Sequence, residues 1–187
     1  MKKLIALFAA SMLMLAGQPA FAKSSPEGGR AEVRQTAQTI LKDLYKAQPA
    51  ARKAVESGAG YAVFSNFGMK IFFAGGGSGS GVAVNNKTKK EVFMKMVEVQ
   101  AGLGLGVKKF RLVFVFNNEK VLNDFINSGW VAGAQATAAA KTGDQGVAYQ
   151  GAVSVSPGVW LYQLTDKGLA AEVTVKGTKY YKDDALN

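Results

Sequence analysis

After Gly58, apolar side chains recur at every second position through most of the chain, and glycine stands inside many of these segments. A two-residue period is typical of β-strands that bury one face and expose the other. Glycine inside strands permits tight bends and close approach of neighbouring backbones, and many short strands with glycine-rich turns favour curvature or closure. We therefore expect a strongly curved antiparallel β-sheet or a barrel-like core.

The turns of this sheet are predicted from their polar and glycine-rich composition. Asn66–Gly68 is predicted to be a turn, and Asn85–Lys90 is predicted to be a polar, basic hairpin tip. The Gly75–Gly81 run lacks the Gly-Lys-Ser/Thr ending of a phosphate loop, so we interpret it as a flexible hairpin or a bulge. Strands are predicted at 61–64, 70–73, 110–116, 146–155, 159–164 and 169–175. Residues 92–99 can form a strand, although Met94 and Met96 leave a helix open there.

Helical spacing appears before the sheet and once within it. From Arg30 to Gln48, apolar residues recur at three- and four-residue steps, which predicts an amphipathic helix. This helix could lie on a membrane or dock on the sheet of its own domain, and docking is the more common arrangement. Pro49 can open a second short helix that ends at Gly58, and Asn118 can cap a third. The predicted fold is α+β, with an N-terminal amphipathic helix and one or two short helices.

The first 22 residues have the pattern of a cleavable secretory signal. Lys2 and Lys3 precede an uncharged apolar run, and Ala20-Phe21-Ala22 has the small-x-small form of a cleavage site. We expect cleavage after Ala22 and a periplasmic or secreted protein, peripheral at a membrane. The predicted organisation is a signal peptide at 1–22, a flexible lead-in at 23–29 and a single domain at 30–187.

The residue types that are missing exclude several kinds of chemistry. The chain has no histidine and no cysteine, so Ser-His-Asp and Cys-His nucleophiles and His or Cys zinc sites are excluded. No spacing selects a pair of carboxylates for acid–base catalysis. We therefore expect a protein that is not an enzyme, with no cofactor and no metal.

The charge of the chain is strongly positive. Removal of residues 1–22 leaves 21 Lys and Arg against 13 Asp and Glu, a net charge of +8. Such a surface attracts polyanions, and export makes nucleic acid the least suitable of these. Anionic phospholipid is the expected partner, with several lysines acting together at a membrane surface. The clusters that carry this prediction are Arg52 and Lys53, then Lys87, Lys89 and Lys90, then Lys108, Lys109 and Arg111.

Several stretches of the sequence resemble the SYLF family of lipid-binding domains, and specifically its exported bacterial branch. The matching stretches are spread from Ala31 to Asn187, and their order and spacing carry the resemblance. They are Ser57–Phe64, Gly75–Val84, Gln100–Gly106, Leu112–Phe116, Gly129–Ala139 and Tyr162–Tyr181.

The resemblance implies a non-catalytic domain that binds anionic membrane lipid. It also implies membrane contact by an amphipathic helix before the glycine-rich core, which corresponds here to Arg30–Gln48 with the basic positions Arg34, Lys42 and Lys46. We expect a monomer. The alternative is a structural or interaction module of the cell envelope that binds a protein partner through its β-sheet.

Overall fold

The computed structural model describes residues 25–71, 74–101, 106–129, 131–132, 149–166, 168–169 and 177–187. The predicted signal peptide at 1–22 lies outside the described residues. So do residues 146–148 of one predicted strand and most of the strand predicted at 169–175.

Three helices and nine strands are formed within the described ranges. The helices are α1 (Pro26–Ala47), α2 (Ala50–Ser57) and α3 (Glu119–Asn127). The strands are β1 (Gly60–Ile71), β2 (Ala74–Asn85), β3 (Glu91–Ala101), β4 (Gly106–Phe116), β5 (Val131–Ala132), β6 (Val153–Ser156), β7 (Val159–Thr165), β8 (Gly168–Leu169) and β9 (Thr178–Lys182).

The strands form one antiparallel sheet that curls into a half-barrel. Its order is β5-β9-β3-β2-β1-β4-β7-β6, and β8 pairs with β7 outside this path. The long strands β1 to β4 lie together at the centre, where β1 pairs with both β2 and β4 along nearly its whole length. The predicted α+β fold, with a strongly curved antiparallel sheet and an N-terminal helix, is confirmed.

Helix α1 begins earlier than predicted. Ser25 caps it by accepting a hydrogen bond from the backbone N–H of Gly28 at 3.2 Å, and Pro26 occupies the first helical position. Serine at the cap and proline in the first turn both stabilise a helix start, and here they outweigh the cost of two glycines. The prediction of a flexible lead-in through residue 29 is therefore wrong from Pro26 onward.

The apolar stripe of α1 packs on one face of the sheet. Val33, Ala37, Ile40 and Leu44 are 0 to 9% exposed, and they pack with inward residues of α2, β1, β4 and β7. The sheet residues of this core include Val63, Val113, Val115, Trp160 and Tyr162. In the structure, α1 is therefore docked on the sheet of its own domain. Its apolar stripe is buried there and does not form a surface for a membrane.

The opposite face of the sheet holds an aromatic core closed by α3. Phe64, Phe114 and Tyr180 meet with ring centroids 4.9 to 6.0 Å apart, and Phe125 of α3 packs on all three. The predicted alternation of β4 is confirmed, because Leu112, Phe114 and Phe116 share this core while Val113 and Val115 face α1.

One predicted turn and one predicted hairpin or bulge are strand in the structure, so both predictions are wrong. Asn66–Gly68 lies inside the continuous strand β1, and Gly75–Gly81 lies inside β2, paired on both sides. A side chain at Gly81 would overlap the ring of Phe64, and a Cβ at Gly79 would lie 2.9 Å from Cγ of Met96. These glycines therefore serve close packing within a regular strand.

Other local predictions agree with the structure. The hairpin at 85–90, the short helix ending before Gly58 and the Asn118 cap are all present. The strand predicted at 146–155 is present only as Val153–Ser156 within the described residues. None of the described helices has the combination of length and apolar character needed to cross a membrane.

Candidate functional site

The hairpin between β2 and β3 carries three lysines on a fixed loop. The Oδ1 atom of Asn85 accepts hydrogen bonds from the backbone N–H groups of Lys87 and Thr88, both at 2.9 Å. The N–H of Lys89 donates to the carbonyl of Asn85 at 2.8 Å, and the N–H of Asn85 donates to the carbonyl of Lys90 at 3.0 Å. Such a local network holds the backbone of a turn in one shape. The three lysine side chains are exposed, and no ion pair forms with them in the described part of the chain.

Asn86 fixes this hairpin to the end of α2. Its Nδ2 group donates to the carbonyls of Val55 and Gly58 at 2.7 and 2.8 Å, and its backbone N–H donates to Ala59 at 3.0 Å. The last carbonyls of a helix have no partner within the helix, so this side chain satisfies two acceptors at once. The lysines are therefore presented by a hairpin anchored to the rest of the domain.

A basic cleft lies beside the hairpin, between the start of α1, the start of β3 and the end of β9. It has a volume of about 480 Å³. Its charged lining consists of five cations and one acid, namely Arg30, Arg34, Lys89, Lys90, Lys182 and Glu91. Lys182 reaches this place because β9 pairs with β3.

The two arginines form the walls of the basic cleft. Nε of Arg34 donates to Oε2 of Glu91 at 2.8 Å, and the guanidinium lies 5.2 Å from the ring centre of Phe93. The hydrogen bond to Glu91 raises the pKa of Arg34 above its ordinary value. Nε of Arg30 donates to the carbonyl of Leu186 at 2.6 Å. Because these guanidinium groups are already engaged, the available positive charge of the cleft is that of its lysines.

A second basic group lies on α1 and α2. Lys42, Lys46 and Lys53 are exposed and form no ion pair with any described residue. The guanidinium of Arg52 lies 4.4 Å from the ring centre of Tyr45 and pairs at 3.5 Å with the acid one turn later in α2. Since the hairpin binds the other end of α2, this group flanks the hairpin.

The predicted cluster at 108–111 lies far from the hairpin. Lys109 is opposite Phe67 in β1, while Asn85 at the hairpin is opposite Gly60, so they lie seven residue steps apart along the strand. At about 3.3 Å per residue this is about 23 Å, well beyond the Debye length of about 8 Å at physiological salt. The two clusters therefore act independently. The side chain of Lys108 lies outside what the structure describes.

Arg111 belongs to the packing of α1. Its NH1 group donates to Oδ2 of Asp43 at 2.6 Å and its NH2 group to the carbonyl of Thr165 at 2.8 Å. This residue ties the helix to β4 and β7, and we leave it out of the candidate surface.

A groove with a volume of about 860 Å³ lies between α1 and strands β1 to β3. Val33, Ala37 and Ile40 line its helical wall, and the exposed Ser78 and Ser80 lie along its floor. It adjoins the basic cleft across Leu186, which lines both.

Comparison with known proteins shows a similarity to a known family in the second half of the chain. Residues 97–187 match the family described as Las17-binding protein actin regulator, Ysc84. Ysc84 is a SYLF domain, so this part of the chain is similar to the SYLF family. A relative from Aeromonas veronii, named Beta cell expansion factor A, is 30% identical over 161 residues, which are 84% of this chain and 58% of that protein. The chain thus spans less than two thirds of this SYLF relative. The family match starts after the basic hairpin, so it does not support a role for the hairpin lysines. The candidate surface is supported by the contacts and exposure of this chain's own residues.

Sequence reasoning missed Arg30 and Lys182. Neither belongs to a basic run, and Lys182 follows two tyrosines. The pairing of β3 with β9 brings Lys182 opposite Met94, which is 88 positions away in sequence. No local signal in the sequence could have indicated that contact.

Proposed function

We propose that this protein is an exported, non-catalytic domain that binds anionic phospholipid surfaces through its lysine hairpin and the adjoining basic cleft. The observation that carries this proposal is the anchored hairpin with Lys87, Lys89 and Lys90 exposed and without carboxylate partners in the described residues. Residues engaged in ion pairs, such as Arg34 and Arg111, contribute to the fold of this surface instead.

The fixed shape of the hairpin favours binding. The hydrogen bonds of Asn85 and Asn86 order the loop before it meets a ligand, so binding does not have to order its backbone. Only the long lysine side chains lose freedom, and they can spread over several headgroups. A mobile loop with the same charges would bind more weakly.

The expected affinity follows from the number of free lysines. A basic residue close to an anionic membrane contributes about 1 kcal/mol, so the three hairpin lysines contribute about 3 kcal/mol. This corresponds to a gain of about 100-fold over a neutral surface. Exposed charges are screened by salt, so binding is weak and salt-sensitive.

The exposed lysines of the hairpin, which have no carboxylate partner among the described residues, support a binding role. A protein partner on the sheet faces is the alternative function. Because α1 and α3 cover opposite faces, such a partner would have to use an edge strand such as β6.

Vesicle sedimentation tests the proposal with a double charge reversal. The unchanged protein should pellet with phosphatidylglycerol-containing vesicles at low salt and not with phosphatidylcholine vesicles. Lys87→Glu with Lys89→Glu removes about 2 kcal/mol of attraction and adds repulsion, so the apparent affinity should fall at least about 30-fold.

A matched control separates position from net charge. Lys109→Glu with Lys179→Glu makes the same change in net charge at two exposed lysines that lie level with Phe67 on β1. This control should keep most of the affinity. Equal losses in both variants would mean that only net charge matters, and a loss confined to the control would assign binding to the other end of the sheet.

A further inference from the structure

The groove between α1 and the sheet has a polar floor. Ser65 of β1 lies directly opposite Ser80 of β2, and Ser80 is in turn opposite Lys95 of β3. Lys95 is opposite Tyr181 of β9, so the four side chains form one row on the face that α1 covers. Neighbouring strands lie about 4.8 Å apart, so this row is about 14 Å long. All four residues line the groove, together with Ser78 of β2.

The hydroxyl groups of this floor have no hydrogen-bond partner in the described part of the chain. Ser65, Ser78 and Ser80 are exposed, and Tyr181 is half-buried. None of the four hydroxyl groups bonds to a described residue. A serine hydroxyl donates one hydrogen bond and accepts two, so the floor offers both functions at closely spaced points.

A buried carboxylate adds an acceptor to the groove. Asp183 lines the groove although it is only 5% exposed. Its Oδ1 atom lies 2.8 Å from Nζ of Lys95 and accepts a hydrogen bond from the N–H of Ala185 at 3.1 Å, so the carboxylate is held in place. Its Oδ2 atom accepts no hydrogen bond from any described residue and is not fully enclosed by the fold. Oδ2 is therefore available to a ligand in the groove.

The charge of the groove disfavours an anionic ligand. Its charged lining among the described residues is Glu32, Asp183 and Lys95, a net charge of −1 on a chain whose total is +10. Glu32 forms no ion pair with any described residue, so a phosphate or carboxylate would meet an unpaired acid. The apolar residues along the helical wall are buried in the core, so the surface left for a ligand is mainly polar.

We infer that this groove binds a neutral oligosaccharide, with sugar hydroxyl groups bonded to the serines and to Oδ2 of Asp183. Sugar hydroxyls both donate and accept, which matches a floor of hydroxyl groups beside a carboxylate. A hydrogen bond from a hydroxyl to a carboxylate is roughly twice as strong as one between neutral groups. The ring of Tyr181 has an apolar face beside a polar tip, which suits a sugar ring with C–H groups beside its hydroxyls.

The size of the groove favours a short chain of sugars over a single ring. The row of side chains across the four strands is longer than one sugar ring is wide. The volume of about 860 Å³ lies within the range of about 300–1,000 Å³ typical of sites for small ligands. The site is separate from the lysine hairpin and takes an uncharged ligand, so it does not depend on the membrane-binding proposal.

Isothermal titration with cellohexaose, maltohexaose, laminarihexaose and chitohexaose tests this inference. These neutral chains differ in linkage or ring substituent, and a groove of fixed shape should bind one of them in preference to the others. Hexagalacturonic acid, which has a carboxylate on each ring, should not displace the bound neutral sugar. Absence of binding by all four neutral chains, or displacement by the acidic chain, would overturn the inference.

A pair of matched double variants locates the site. Ser65→Ala with Ser80→Ala removes two hydroxyl groups without filling the groove, and the affinity for the preferred sugar should fall at least about 5-fold. The control Ser57→Ala with Ser128→Ala makes the same chemical change at exposed serines outside the groove and should bind as the unchanged protein does. Equal affinities of the two double variants would remove the serines from the site and overturn the inference.

The carboxylate is tested together with the fold. Asp183→Asn should also weaken sugar binding at least about 5-fold, and its melting temperature reports whether the contacts to Lys95 and Ala185 still hold the domain together. A folded Asp183→Asn variant with unchanged affinity would contradict the role of Oδ2. Lys87→Glu with Lys89→Glu should keep the sugar whatever happens to vesicle binding, and loss of the sugar in that folded variant would overturn the separate site.

Discussion

Truncation of a buried residue in α1 distinguishes a docked helix from one that offers its apolar face to a membrane. Leu44 is fully buried between α1 and the sheet, in the core that also contains Tyr162. Replacing it with alanine removes apolar contacts and leaves a cavity, because close-packed neighbours relax only in part. Leu44→Ala should therefore destabilise the domain.

The size of this effect can be worked out from the burial. Leucine-to-alanine changes at fully buried sites cost about 2–5 kcal/mol. Since a 1 kcal/mol loss lowers the melting temperature of a domain of this size by about 2–4 °C, a loss of 3 kcal/mol lowers it by about 6–12 °C. Gln35→Ala on the exposed side of α1 should change it by about 1 °C or less, because surface substitutions have small effects.

Thermal unfolding followed by circular dichroism, together with vesicle sedimentation below the transition, measures both consequences. Leu44→Ala should melt early and bind anionic vesicles as the unchanged protein does. An unchanged melting temperature combined with weaker vesicle binding would refute the docked arrangement and would favour a helix that contacts lipid directly.

Three further predictions concern stability. Asn118→Ala removes the N-cap of α3, whose side chain accepts from Val121 at 2.9 Å, and should cost about 1 kcal/mol in urea denaturation; no loss would contradict the cap. Gly81→Ala places a methyl group against Phe64 and should cost about 1–3 kcal/mol by the same assay, whereas a neutral effect would show that the strands have room to separate. Burial raises the pKa of Tyr162 from 10 to about 12, so its stabilising contribution of about 3 kcal/mol is present below pH 10 and is lost as the pH rises to 12. Tyr162→Phe should flatten this alkaline decline, and an equally steep decline in that variant would assign it to other groups.

Elements specified by neighbouring residues could be predicted from the sequence. The hairpin at 85–90 follows from Asn85, whose side chain closes the turn locally, and α3 follows from the cap at Asn118. The three- and four-residue spacing likewise predicts α1, although Ser25 and Pro26 start it four residues before Arg30. In each case the decisive contact lies within a few positions along the chain.

Features that depend on distant residues could not be predicted. The run at 75–81 lies within a strand, where Phe64 and Met96 on the neighbouring strands leave no room for larger side chains at Gly81 and Gly79. No local pattern in the sequence indicates these contacts. The basic cleft likewise depends on Lys182, which strand pairing brings beside β3. The groove exists because Ser78 and Ser80 are too small to fill the space beneath α1, and this too requires the helix to be docked.

Lysine footprinting on vesicles tests the central claim most directly. The purified protein is treated with an amine-reactive reagent, with and without phosphatidylglycerol vesicles, and the modification of each lysine is measured by mass spectrometry. Our account predicts that the vesicles protect Lys87, Lys89 and Lys90, while Lys109 and Lys179 react as in free solution. Protection of Lys109 and Lys179 with an unprotected hairpin would contradict it.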